Sequence, residues 1–176
     1  MKALMVYESM FGNTEKVARA VAAGLAESLE VEVHEVSTAP EQVIGLVDLI
    51  VVGAPTHAFS LSRPSTRADA LAKGATRGQR DLGVREWLTG LRGRSHSELM
   101  AAFDTRAERV RRLPGSAAHK AAKLARHRGF ELAGVESFYV SDIAGPLLPG
   151  ELERATAWGR ELASSMSSRS PGQPVR

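Results

Sequence analysis

Two short runs of unbroken apolar residues, Ala3-Leu4-Met5-Val6-Tyr7 and Leu49-Ile50-Val51-Val52-Gly53, each stop at a polar loop. A strand without polar alternation has both faces covered, which is the situation of a parallel sheet held between helices. The β-branched character of the second run predicts a central position. After the first run comes Ser9-Met10-Phe11-Gly12-Asn13-Thr14, and then a long amphipathic stretch from Glu15 to about Leu29. In that stretch Val17, Ala20, Val21, Gly24, Leu25 and Leu29 recur at three and four, the pattern of a helix packing one face on a sheet.

The same alternation runs on through the chain. Glu30–Val36 alternates valine with glutamate or histidine and reads as an edge strand with one wet face. Thr38-Ala39-Pro40 marks a turn, and Val43–Val47 a short helix. Helices are expected over Ser65–Lys73 and Val84–Leu91, and a fourth strand over Leu99–Phe103. Asp104–Gly115 reads as an arginine-rich loop. Ser116 is an N-cap for a helix to about His127, which Gly129 ends. Glu131–Val140 supplies the fifth strand and Glu151–Met166 the last helix. Residues 1–166 thus make one α/β domain with a five-stranded parallel sheet between two helical layers. Residues 167–176 are rich in Ser, Pro and Gly and read as a disordered tail.

In such sheets ligands bind outside the carboxyl ends of the strands, where strand order reverses. The Ser9–Thr14 loop lies there, and two readings of it stand. A helix N-terminus offers unpaired N–H groups and a positive dipole end, so the loop is a phosphate cradle, with Gly12 allowing close backbone approach and Ser9, Asn13 and Thr14 adding donors. Alternatively it is an ordinary β–α turn capped by Asn13 or Thr14.

Composition removes several classes. The chain has no cysteine, so disulfides, thiolate metal sites and cysteine nucleophiles are excluded. No apolar run approaches the roughly 20 residues of a membrane span. The N-terminus lacks a signal-peptide layout, and a cytoplasmic protein is expected. Gly-x-x-x-x-Gly-Lys, Gly-x-Gly-x-x-Gly and Gly-x-Ser-x-Gly are all missing, and the five histidines show no metal-ligand spacing. Residues 63–112 hold 12 Lys/Arg and 6 Asp/Glu, a net of +6 within a chain of net +3. With few aromatics to stack bases, these arginines read as a solvated face rather than a nucleic-acid surface.

On Ser9-Met10-Phe11-Gly12-Asn13-Thr14-Glu15-Lys16 and Val52-Gly53-Ala54-Pro55-Thr56-His57, the chain resembles the flavodoxin-like FMN-binding family over residues 2 to 166. The first motif is similar to the family's phosphate loop, and its Met and aromatic before Gly are closest to the flavodoxin domains of flavodiiron proteins. The second is similar to the loop that borders the flavin ring. The resemblance implies a flavodoxin-like three-layer sandwich of strand order 2-1-3-4-5, in which strands one and three are neighbours. It implies flavin mononucleotide (FMN) as cofactor, its phosphate held by neutral donors and the helix end. Pro55, Thr56, His57, Ala58 and Phe59 would border the ring. Phe59 stacks on the ring or anchors its loop. His57 donates to the ring, stacks beside it, or is a surface histidine. Phe11 packs on the ribityl chain or plugs the loop.

The third loop departs from the family's Gly, Ser and aromatic, since Phe103 is followed by Asp104-Thr105-Arg106. Asp104 would accept from a flavin N–H and Thr105 would donate to a ring carbonyl. Arg63, Arg106, Arg109, Arg111 and Arg112 would rim the ring, favour the reduced anion and face an acidic redox partner. The resemblance implies an electron-transfer protein. The alternatives are an FMN-dependent quinone or NAD(P)H reductase and a flavin-free binding or regulatory module.

Overall fold

A computed structural model describes residues 1–43, 45–91 and 96–168. Five parallel strands form its sheet: β1 (Lys2–Tyr7), β2 (Glu30–Glu35), β3 (Leu49–His57), β5 (Leu99–Ala107) and β6 (Glu131–Val140). Their order is β2-β1-β3-β5-β6, which is 2-1-3-4-5 when the parallel strands alone are numbered. A two-residue strand, β4 (Ser60–Leu61), folds back antiparallel on the end of β3. The helices are α1 (Asn13–Ala26), α2 (Pro64–Ala72), α3 (Val84–Gly90), α4 (Ala117–His127) and α5 (Glu151–Ser167).

Alternate residues of each central strand enter opposite cores, as the pleat requires. Ala3, Met5, Val51, Ala101 and Phe103 meet Val17, Val21 and Leu25 of α1 and Trp158 and Leu162 of α5. Leu4, Val6, Ile50, Val52, Met100 and Ala102 meet Trp87 and Leu88 of α3 and Ala117, Ala121 and Ala125 of α4. The α1–α5 contact is close because it is built on glycine. A Cβ on Gly24 would lie 2.1 Å from the Thr156 carbonyl oxygen, and one on Gly159 would lie 2.3 Å from that of Val21. Phe103, Phe138 and Trp158 meet edge to face on the same side.

Four expectations need correction. There is no helix over Val43–Val47: Gly45 and Leu46 form a turn, Gly45 at φ +72°, and Ile44 lies outside the described residues. β3 extends four residues past Gly53, so Pro55, Thr56 and His57 are strand residues. β5 continues through Asp104, Thr105 and Arg106 to Ala107, and a short 3-10 turn, Glu108–Val110, begins the loop. The tail expected from residue 167 starts inside α5, which ends at Ser167, and residues 169–176 lie outside the described residues. Among the described residues no helix is long and apolar enough to cross a membrane.

Candidate functional site

The carboxyl ends of β1, β3 and β5 open into a cavity of about 370 Å³, within the size range of small-molecule sites. Met10, Phe11, Asn13 and Thr14 line one end. Pro55, Thr56, His57, Ala58 and Phe59 line a second side, and Thr105 and Arg106 a third. The three loops singled out in the sequence therefore converge. Ser9 and Gly12 shape the first loop, and Asp104 is fully buried behind the cavity wall.

The first loop is built around Ser9. Its Oγ accepts the Gly12 N–H at 3.1 Å and the Glu15 N–H at 3.3 Å. Gly12 stands at φ +88°, which turns the chain into α1 without a side-chain cap. The N–H groups of Phe11, Asn13 and Thr14 find no acceptor among the described residues. Three free amides at the positive end of a 14-residue helix are the donor set an anion needs. Asn13 reaches elsewhere, its Nδ2 donating to the Ala144 carbonyl at 2.9 Å. Met10 and Phe11 pack on Ala70 and Ala75, so Phe11 plugs the loop against α2 while still edging the cavity.

The second side is a hairpin. His57 pairs with Ser60 across Ala58 and Phe59, both left-handed at φ +47° and +60°. Two consecutive positive φ values fit the right-handed twist of a two-residue hairpin, at a steric cost for residues with a Cβ. Phe59 is 47% exposed, so it sits at the cavity lip rather than in a core. Burial, together with the charges of Arg67 and Lys73, holds the His57 imidazole below its ordinary value of 6.5. Burial thus favours the neutral form of this ring in the cavity wall.

Asp104, behind the wall, and Thr56, in it, both cap α4. Asp104 Oδ2 accepts the Ala118 N–H at 2.9 Å, and Thr56 Oγ1 accepts the Ala117 N–H at 2.8 Å. With Ser116 Oγ on the His119 N–H at 3.3 Å, the first three amides of α4 are capped from three separate elements. Arg106 lines the cavity and also ties down the loop after β5: one Nη donates to the carbonyls of Val110, at 2.5 Å, and Leu113, at 3.1 Å. Of the other arginines expected at the rim, Arg109 pairs with Asp142 at 3.2 Å and Arg111 lies 4.6 Å above the Tyr139 ring. Arg63 is the N-cap of α2.

Sequence reasoning missed the wall made by α2. Thr66, Asp69, Ala70 and Lys73 line the cavity at helical spacing. A buried network holds this helix in place. Glu8 Oε1 accepts from Ser62 Oγ at 2.5 Å and Glu8 Oε2 from the Val84 N–H at 3.0 Å. Arg67, with no exposed surface, donates to Ser62 Oγ at 2.7 Å and to the Arg80 carbonyl at 2.7 Å, and pairs with Glu86 at 3.0 Å. The sequence predicts a helix over Ser65–Lys73, close to the observed Pro64–Ala72. Nothing there said that it faces the loop of Ser9.

No protein-family model matches the sequence, and no curated protein matches it. Solved structures do. The structure of a flavodoxin from the domain Archaea is 19% identical, covers 95% of this chain and 99% of its own, and superposes with a TM-score of 0.64. Oxidised Flavodoxin 1 from Bacillus cereus is 20% identical, with 93% and 98% covered and a TM-score of 0.63. The flavodiiron protein from Giardia intestinalis is 17% identical over 95% of this chain and 36% of its own, at a TM-score of 0.55. The chain has a flavodoxin-like fold.

Proposed function

We propose that this protein binds FMN in the cavity at the carboxyl ends of β1, β3 and β5 and carries electrons. The observation behind the proposal is the set of free amides on Phe11, Asn13 and Thr14 at one end of a cavity bounded by the other two loops. The residues fit the cofactor by chemistry: neutral N–H donors at a helix end for the phosphate, and Pro55, His57 and Phe59 with Thr105 for the ring. The bound flavin would supply the redox chemistry, and the protein its orientation and electrostatics. This chain's residues hold the phosphate, set His57 in the cavity wall, and tie α2 to the Ser62 and Val84 segments through Glu8 and Arg67. An acidic redox partner belongs to the same reading. Arg112 is exposed, and Lys73 stands exposed at the cavity edge, neither with a partner among the described residues.

Visible absorption of the purified protein, with FMN titration if it is colourless, tests this directly. Flavin bands at near-stoichiometric occupancy are expected, as is reduction in two resolved one-electron steps. Reduction in a single two-electron step would favour a reductase. A colourless protein that leaves FMN fluorescence unchanged would refute flavin binding and leave a binding module.

A further inference from the structure

The anion loop contains no cation of its own, yet a cation is brought to it from far along the chain. The segment that follows α2 crosses the Ser9–Thr14 loop. The Arg77 N–H donates to the Met10 carbonyl at 3.3 Å, and Gly78, at φ +70°, lies so close that a Cβ would sit 2.7 Å from Met10 Sδ. The Arg77 side chain then runs over Gly12, its Nε 3.4 Å from where a Gly12 Cβ would be. Its guanidinium ends in an ion pair with Glu15, 62 residues earlier in the chain.

Glu15 is the difficulty that this arrangement answers. It is an acid in the first turn of α1, next to the free amides of Asn13 and Thr14. A carboxylate there is comfortable with the helix dipole but repels a second anion placed at the same end. Arg19 contributes one ion pair, Nη2 to Glu15 Oε1 at 2.9 Å, from the solvent side. Arg77 takes the other carboxylate oxygen from the loop side.

We propose that Arg77 makes the loop selective for a doubly charged phosphate, by cancelling the Glu15 carboxylate beside the free amides. The inference rests on the FMN reading for its ligand. It assigns a specificity-determining role to a residue outside the loop.

The experiment compares FMN with riboflavin, which lacks the phosphate, by fluorescence quenching at low ionic strength. Arg77→Gln keeps the side-chain stem over Gly12 and removes the charge. It is expected to weaken FMN about tenfold and leave riboflavin within about twofold. Adding Glu15→Gln to Arg77→Gln should bring FMN back to within about threefold of the parent. Equal weakening of both flavins, no weakening of either, or a double variant no better than Arg77→Gln would overturn the proposal. If the parent binds neither flavin, the functional reading fails and inorganic phosphate decides the inference. Phosphate should then stabilise the parent and the double variant against heat, relative to chloride at equal ionic strength, and should not stabilise Arg77→Gln. Equal stabilisation of all three, or of none, would overturn it.

Discussion

The hydroxyls of Thr14 and Thr105 lie 2.7 Å apart in the buried interior, joining the first turn of α1 to the end of β5. Both residues belong to the cavity wall, yet they are only 2% and 5% exposed. Thr105→Val keeps the shape and strands the Thr14 hydroxyl. The expected loss is about 1 to 2 kcal/mol in urea unfolding of the apoprotein. Thr14→Val with Thr105→Val removes both partners and should cost less than the sum of the two single changes. Additive losses would mean that the pair contributes nothing as a pair.

Asp104 supports α4 as a buried side-chain cap. Asp104→Ala leaves the Ala118 N–H without its acceptor and is expected to cost about 2 kcal/mol. Asp104→Asn keeps an acceptor and should cost less. Flavin affinity in Asp104→Asn should stay near that of the parent, because the carboxylate faces α4 and not the cavity. A large loss of affinity with unchanged stability would return Asp104 to the ring.

Ala58 carries the steric cost of the β3–β4 hairpin. At φ +47° its Cβ crowds the following carbonyl, a penalty glycine does not have. Ala58→Gly should stabilise the apoprotein by about 0.5 to 1 kcal/mol, the relief being partly offset by the freer unfolded chain. Chemical denaturation at constant m-value would register it. Destabilisation would show that the Ala58 methyl packs usefully.

What could be read in the sequence, and what could not, follows from how local each signal is. Ala3–Tyr7, Leu49–Val52 and the stripe of α1 are local hydrophobic patterns, and they placed two central strands, the first helix and the Ser9–Thr14 loop correctly. The cap at Ser116 and the stop at Gly129 are local as well. The hairpin at Ala58-Phe59 was hidden because neither residue belongs to the usual Asn-Gly chemistry of such turns. Val43–Val47 has helical spacing, but Gly45 takes the left-handed conformation and ends it as a turn. The capping roles of Thr56 and Asp104 were hidden because a polar side chain at the end of a strand serves equally well as ligand or as cap of a neighbouring helix. Only the position of α4 distinguishes the two. Arg77 belongs to a contact across 62 residues, for which no local pattern exists.

Glu8 makes the stability of this fold respond to pH in a direction opposite to that of an ordinary paired carboxylate. It is 1% exposed. Burial raises its pKa above the ordinary 4.5, against the opposing pull of Ser62, the Val84 N–H and Arg67. The folded chain therefore holds this proton more tightly than the unfolded chain. The stabilising contribution is complete below about 4.5 and is lost as pH rises through the raised folded value. Glu27 and Glu32, held low by Arg160 and Lys2, act in the other sense, so the raw profile mixes both. The difference between the parent and Glu8→Gln isolates the one group. Gln can still accept the Val84 N–H, and Arg67 keeps Glu86 and the Arg80 carbonyl as partners. Urea unfolding from pH 4 to 8 should show the variant gaining on the parent as pH rises, with the gain levelling once Glu8 is ionised in the folded chain. A difference that is flat, or that grows towards acid pH, would mean that the hydrogen bonds and Arg67 outweigh the burial of Glu8.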